Sequence, residues 1–185
     1  MSSPETFIED DANGRSAPEK YYGKYRGIVV NNVDPEQRGR IQAIVPDVST
    51  VIPTTWAMPC LPVGGIQMGM FTVPLIGAGV WIEFEQGDPD FPVWVGCFWG
   101  TAAEVPTMAR TVPPAVPGIT LQTPLQNGIT ISDVPGPTGG ILLKTAAGAL
   151  ISVSSVGITI SNGQGATIMM NGPSVSINET ALVIT

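Results

Sequence analysis

The stretch GVWIEFEQGDPDFPVWVGCFWG, residues 79–100, contains two segments of alternating apolar and polar residues joined by Asp, Gly and Pro. Apolar side chains at every second position are typical of a β-strand with one buried face. Asp, Gly and Pro favour a turn between such strands. We therefore predict strands over 79–86 and 91–99, connected by a turn. The predicted core-facing positions of the first strand are Val80, Ile82 and Phe84.

The same stretch carries four carboxylates within eight positions, which raises the question of a catalytic or metal-binding cluster. On the predicted strand, Glu83 and Glu85 share the outer face with Trp81. In the turn, Asp88 and Asp90 flank a proline. A glycosidase needs two carboxyl groups of different pKa around a cleft, and calcium needs about six to eight oxygen ligands. We interpret the cluster as a solvated strand face and a turn; a metal site and a catalytic site are the alternatives.

Upstream of this stretch, the same alternation predicts strands over 23–32 and 39–48, with a fifth strand near 54–62. The 22 glycines and 18 prolines interrupt almost every apolar segment, and helical periodicity is nearly absent. Five short strands with long irregular connections predict a small barrel. Some barrels of this kind bind nucleic acid through exposed aromatic residues and a positive groove. Here the basic residues are scattered and the formal net charge is −7, so we expect no nucleic-acid partner.

The composition also limits the chemistry that the chain can perform. It contains no histidine, which removes the commonest general base and most zinc sites. We expect no enzymatic activity, no metal and no cofactor. Cys60 and Cys97 lie in apolar contexts and are interpreted as buried free thiols, although a pairing between them stays open. No apolar run reaches the roughly 18–20 residues of a membrane-spanning helix, and the polar, acidic N-terminus lacks a secretory signal. We therefore expect synthesis in the cytoplasm.

The charge distribution changes sharply near residue 111. Residues 1–110 hold 20 of the 23 charged side chains, and the break coincides with the proline-rich stretch 104–117. Proline disfavours a helix, so this stretch is predicted to be an extended connector. Charged residues make up only 12 % of the chain, about half the usual share. This deficit indicates that much of the surface is buried in an obligate oligomer.

From residue 118 onward, eight short segments place an apolar residue at every second position, separated by Asn, Gly, Pro and Ser. Repeats this short cannot each bury a core, so they stabilise by stacking. A strand alone also leaves both of its edges unpaired. We therefore predict three chains wound together, with strands pairing with neighbouring chains and inward side chains filling a narrow prism. The predicted core residues of this trimer are Ile119, Leu121, Ile129, Ile131, Ile141, Leu143, Ile151, Val153, Ile158, Ile160, Ile168, Val175, Ile177 and Val183.

Three motifs carry a family resemblance: VNNVDPEQRGR (30–40), TTWAMP (54–59) and the opening stretch. Together they resemble the oligonucleotide/oligosaccharide-binding (OB) domain of the baseplate assembly protein V family, over about residues 22–100. The resemblance implies an all-β fold, in which a five-stranded OB-fold barrel precedes an intertwined triple-stranded β-helix formed by three chains. The motif positions are Gly39, Arg40, Trp56, Trp81, Glu83, Gly87, Asp88, Pro89, Pro92 and Gly96. The expected organisation is an N-terminal arm (1–20), an OB domain (21–103), the connector (104–117) and a β-helical spike (118–185).

The resemblance also implies a function. Family members are central spikes of contractile phage tails or related injection systems, so we expect a structural, envelope-piercing needle in a virion baseplate or injection particle. The alternative is a cell-wall-binding or wall-degrading spike component. Phage and phage-derived injection system remain equally open, as does the target cell.

The resemblance implies partners as well. Larger family members carry a hub domain, so we expect a separate hub protein at the N-terminal side and a transient contact with the target envelope. Some members carry a lysozyme domain between barrel and β-helix, for which residues 104–117 leave no room. Several spikes end in a His-x-His pair that binds iron. Because this chain has no histidine, we expect a separate tip protein of the PAAR-repeat kind at its C-terminus.

Overall fold

The computed structural model describes residues 19–179 and 181–184, so nearly all of the predicted N-terminal arm (1–20) lies outside the described residues. The chain divides into two compact units, with the boundary between Gly100 and Thr101. Strands dominate both units, and helical structure in the described ranges is limited to three single 3₁₀ turns, at Glu85–Gly87, Ala102–Glu104 and Ala109–Thr111. The predicted all-β fold class is therefore confirmed. Across the described residues, no helix has the length and apolarity needed to cross a membrane.

The strands of the first unit are β1 (Tyr25–Asn31), β2 (Gln42–Ile44), β3 (Met58–Pro59), β4 (Gly64–Gly65), β5 (Met68–Gly69), β6 (Gly79–Phe84) and β7 (Pro92–Phe98). They form a five-stranded sheet in the order β2-β1-β6-β7-β3 and a separate small hairpin, β4-β5. All five strands of the sheet lie in segments that alternation predicts, and β1 and β6 show the alternating burial on which that prediction depends. The hairpin β4-β5 has no such pattern and was not predicted.

The core of this unit is formed by alternate residues of β1, β2, β6 and β7. Val80 and Ile82 are fully buried and Phe84 is 7 % exposed, which confirms the predicted core face of β6. The remaining members of the core are Tyr25, Val29, Ile41, Ala43, Val45, Ala57 and Trp94.

Both cysteines are free and exposed, so the prediction of buried thiols is wrong. Cys60 follows the two-residue strand β3 at the edge of the sheet. Cys97 stands next to the end of β7, beyond an irregularity in the pairing of that strand with β6. An apolar sequence context predicts burial only where a strand is covered on both sides, and neither position meets this condition.

The second unit is a single eight-stranded antiparallel sheet in which every strand pairs with its neighbours in the sequence. The connecting turns are short, and two of them, residues 155–156 and 172–173, contain only two residues. Two-residue turns close β-hairpins within one chain. The strands are β8 (Gly118–Gln122), β9 (Gly128–Ser132), β10 (Gly140–Lys144), β11 (Leu150–Ser154), β12 (Gly157–Ser161), β13 (Thr167–Asn171), β14 (Ser174–Ile177) and β15 (Leu182–Ile184).

This ladder differs in one respect from the expectation of strands that pair with neighbouring chains. Strands β9 to β14 each have both edges hydrogen-bonded to strands of the same chain. Their backbone groups are satisfied without another chain, because short turns bring each following strand alongside. Any contact between chains in this unit must therefore come from side chains or from the outer edges of β8 and β15.

Residues 101–117, which include the predicted connector 104–117, are not extended. They make two of the 3₁₀ turns and pack against the start of the sheet. The backbone N–H of Met108 donates to the side-chain oxygen of Gln122 at 2.9 Å, and the Met108 side chain is buried. The prolines are compatible with these turns because proline is tolerated where its missing N–H would have no helical partner.

Candidate functional site: the apolar face of the C-terminal sheet

The antiparallel register of the C-terminal sheet aligns apolar side chains into two continuous rows, which we call the apolar rows. Within each row, every residue lies directly across from the next one on the neighbouring strand. The first row is Ile119, Ile131, Ile141, Val153, Ile158, Met170, Val175 and Ile184; the second is Leu121, Ile129, Leu143, Ile151, Ile160, Ile168, Ile177 and Leu182. The rows cross all eight strands without a polar interruption.

The opposite face of the same sheet is rich in hydroxyl groups. Between the apolar rows, the ladder pairs Thr120 with Thr130, whose hydroxyl oxygens are 3.3 Å apart, and Ser152 with Thr159. Residues 101–117 cover the beginning of this face: the Sδ of Met108 lies 2.9 Å from where a Cβ on Gly128 would stand. Thr130 is consequently only 7 % exposed. The chain thus covers part of its hydroxyl face and leaves the apolar rows bare.

The apolar rows are exposed to an extent that is unusual for a folded chain. Ile131 is 44 % exposed, Leu143 39 % and Ile119 63 %. Apolar residues on a sheet normally face a core, and a contiguous exposed patch of this length marks an interaction surface. Ile, Val and Leu offer no hydrogen-bonding or nucleophilic group, so this site can bind an apolar surface but cannot carry out chemistry.

The predicted trimer-core residues belong to these rows with one exception. The exception is Val183, whose backbone pairs with Ser176, while its neighbours Leu182 and Ile184 take positions in the apolar rows. Sequence reasoning also missed Met170, which pairs with Ile158 and Val175. The cause is the same in both places. LVIT and TIMM contain consecutive apolar residues, and alternation alone does not determine which face of the sheet each of them takes.

The OB-domain motif around Gly39 and Arg40 builds a rigid loop after β1. The Asp34 carboxylate accepts bonds from the backbone N–H of Arg38 at 2.8 Å and from Nε and Nη2 of Arg40 at 3.1 and 2.7 Å. These bonds hold the pKa of Asp34 well below its usual range, and the bond from the Arg40 side chain contributes most. Arg40 also lies over the Trp56 ring, 5.5 Å from its centroid. These contacts fix the shape of the loop.

The motif continues on the outer side of β6 and β7. The guanidinium of Arg26 lies over two adjacent rings, 5.3 Å from the Trp81 centroid and 5.1 Å from that of Phe98. Gly79 leaves room for the ring of Phe98, because the nearest ring atom would lie only 2.6 Å from a Cβ added at Gly79. Gly96 adopts φ +156° opposite Trp81, where the pairing of β6 with β7 is irregular.

The acidic residues of the opening stretch do not converge on a common point. Glu83 pairs with Lys24, and Asp88 lies 3.6 Å from the Nζ of Lys20. Strand β6 ends at Phe84, so Glu85 starts a 3₁₀ turn and does not share the strand face with Glu83 as predicted. Within 19–179 and 181–184, no group of three acidic or cysteine side chains is arranged to hold a metal.

The rest of this stretch forms the predicted turn. The N–H of Phe91 donates to the Asp88 carbonyl at 3.0 Å, which closes a turn around Pro89. Gly87 has φ +74°, and its carbonyl accepts the N–H of Tyr21 at 2.9 Å. Pro92 is fully buried at the start of β7. The interpretation as a strand face and turn therefore agrees with the positions of Glu83, Asp88 and Asp90, whereas Glu85 belongs to the 3₁₀ turn.

These two units define a class of protein: an OB barrel joined to an all-β domain that presents one bare apolar face. Two family models match the chain, the type VI secretion system/phage-baseplate injector OB domain over residues 25–99 and the phage baseplate V C-terminal trimerisation domain over residues 118–183. Together the matches span most of the chain, which belongs to the baseplate assembly protein V family of spike components. The trimerisation domain supports a homotrimer. No curated protein matches the chain.

Proposed function

We propose that this chain is the central spike of a contractile tail or injection system, and that it acts as a non-enzymatic needle that pierces the target envelope. The observation that carries the proposal is the pair of apolar rows that cross all eight strands of the C-terminal sheet. In a homotrimer, such a surface is buried when it packs against the same surface of the other two chains. Three copies turn their apolar rows towards a common axis and form the three sides of a prism.

In this arrangement each chain supplies one complete side of the prism. The strands lie across the prism and stack along its axis, so eight strands at about 4.7 Å spacing give a rod of roughly 33 Å. The interior is filled by Ile, Leu and Val from three chains, with Met170 in one row. Backbone hydrogen bonds connect successive strands along the axis, and the dry interior resists bending. Both properties suit a part that transmits the force of sheath contraction without doing chemistry.

The barrel and the ends of the spike take the partners that a needle requires. The OB domain is proposed to attach to a separate hub protein beneath the tail tube. A tip protein of the PAAR-repeat kind is proposed to cover the last strand, because the outer edge of β15 would otherwise remain unpaired. The proposed absence of catalysis is supported by the carboxylates of residues 83–90, since Glu83 and Asp88 are engaged in ion pairs and Asp88 closes a turn.

Two measurements test this function. Light scattering on the purified chain should give three times the chain mass of 19.3 kDa, and a monomer would exclude the prism. Particles assembled with a spike whose apolar rows are disrupted should contract normally but fail to breach target cells. Breaching by such particles at the wild-type rate would exclude the needle role even if the trimer is confirmed. A zymogram on peptidoglycan separately tests for wall-degrading activity.

A further inference from the structure

A second apolar surface lies on the OB domain. Residues 48–82 contain no charged side chain, and the hairpin β4-β5 within this segment forms a two-stranded sheet of its own. Ile66 at its tip is 97 % exposed, more than any other large apolar side chain among the described residues. We call this area the hairpin surface. Its exposed members are Val63, Ile66, Met68, Met70, Phe71, Leu75 and Ile76.

The base of the hairpin surface is anchored and its tip is not. The Phe71 ring packs near Gly39, where an added Cβ would lie 3.4 Å away. Asn32 donates a hydrogen bond to the Pro74 carbonyl at 2.9 Å. Strands β4 and β5, in contrast, have only two residues each. A two-stranded hairpin this short gains little stability from its own backbone pairing, so a surface that covers its tip would stabilise it.

We propose that the hairpin surface packs against the OB barrel of a second copy of this chain within the homotrimer. This inference rests on the homotrimer of the proposed function. Because the OB unit ends at Gly100 and the second unit, which carries the trimerisation domain, begins at the next residue, a homotrimer tethers three barrels together. Such tethering produces effective concentrations on the order of millimolar, at which a weak apolar contact is occupied. A second copy is therefore the one partner present whenever the spike has assembled.

The chemistry of the hairpin surface fits this partner. With no charge between residues 48 and 82, it offers nothing for a charged ligand to pair with. Methionine side chains such as Met68 and Met70 adapt to irregular apolar surfaces. A threefold ring closes head to tail, so the hairpin of each barrel contacts a different patch of the next barrel, and all three hairpins are covered at once.

Methionine oxidation tests the inference on the unmodified full-length chain. The purified trimer, its mass confirmed by light scattering, is treated with hydrogen peroxide and the oxidised peptides are quantified by mass spectrometry. In the single chain Met68 is 65 % exposed, whereas Met169, on the face opposite the apolar rows, is 40 % exposed and serves as the internal reference. If a second copy covers the hairpin, Met68 oxidises more slowly than Met169, by about fivefold or more.

Two variants sharpen the measurement. Ile66→Asp should undock the hairpin and raise Met68 oxidation to at least the rate of Met169, with the trimer mass unchanged. Val51→Asp is the matched control, since Val51 is 80 % exposed in the same uncharged segment but outside the hairpin surface, and it should leave Met68 protected.

Each other outcome identifies a different failure. Met68 that oxidises as fast as Met169 in the purified trimer overturns the inference. Protection of Met68 that arises only when hub protein is added overturns it in favour of the hub as occupant. A chain that scatters light as a monomer instead overturns the proposed function, before any oxidation rate is compared.

Discussion

Ile160 and Thr159 are neighbours in the sequence that the ladder places on opposite faces of one sheet. Ile160 lies between Ile151 and Ile168 in an apolar row, while Thr159 lies between Ser152 and Met169 on the hydroxyl face. Both residues occupy the same strand, so a substitution at either site meets nearly the same backbone. Substitutions at the two sites therefore separate the effect of changing the apolar face from the effect of changing any residue of this strand.

We expect Ile160→Asp to abolish trimer formation and Thr159→Asp to leave it intact. In the prism, the substitution of Ile160 would bring three carboxylates into an apolar interior, which costs several kcal/mol when no hydrogen-bond partner is present. Size-exclusion chromatography with light scattering measures the outcome directly. A trimer formed normally by Ile160→Asp would show that the apolar rows do not face the axis.

Much of this architecture could be predicted from the sequence because a strand repeats every two residues. That period predicted Val80, Ile82 and Phe84 as core and almost all of the apolar rows. It could not assign Met170 or Val183 to a position in the sheet. A run of consecutive apolar residues fits either orientation of the strand, and a shift of one residue exchanges the two faces.

The pairing partners of the strands are a separate matter, because alternation carries no information about them. Strands that pair within a chain and strands that pair between chains show the same period of two. The two-residue connection at residues 155–156 is the feature of the sequence that favours a hairpin within the chain. The exposure of Cys60 and Cys97 could not be predicted from the alternation either, because it depends on where the short strands of the barrel end.

The loop after β1 predicts a pH dependence. Asp34 bonds to Arg40 and to backbone N–H groups, and its pKa in the folded chain is lowered. The unfolded carboxyl has a pKa of about 3.9, so the stabilisation is fully present above that pH and is lost as the pH falls towards the lower folded value. We expect Asp34→Asn to lower the melting temperature between pH 5 and 8. This difference from wild type should shrink below about pH 4.

Glu36→Gln is the control for this loop, because Glu36 also contacts Arg40 but its side chain is 55 % exposed. It should change the melting temperature little at any pH. A difference between wild type and Asp34→Asn that stays constant from pH 7 to pH 3 would contradict an ionised Asp34 as the source of the stabilisation.

The turns of the C-terminal sheet stack on one another at two glycines. Gly163 has φ +73°, and a Cβ there would lie 2.6 Å from the carbonyl carbon of Gly148. Gly165 in the same turn has φ +103° with nothing within 4 Å of its Cβ position. Gly165→Ala should therefore cost only the conformational penalty of about 1–2 kcal/mol. Gly163→Ala should cost about 1–3 kcal/mol more, because the turns must separate. Denaturant unfolding measures both, and equal losses would mean that the turns do not stack.

The segment of residues 101–117 offers a test of its docking on the hydroxyl face. Met108 is buried there and its N–H donates to Gln122. Met108→Ala should remove about 2 kcal/mol of packing and release the segment, whereas Met108→Leu preserves the volume and should leave it docked. The segment contains one basic residue, Arg110, so trypsin cleavage after Arg110 reports its release. We expect cleavage to be faster in Met108→Ala by about tenfold or more, since 1.4 kcal/mol corresponds to a factor of ten in the open population. Equal cleavage rates in wild type and both variants would show that Met108 does not hold the segment on the sheet.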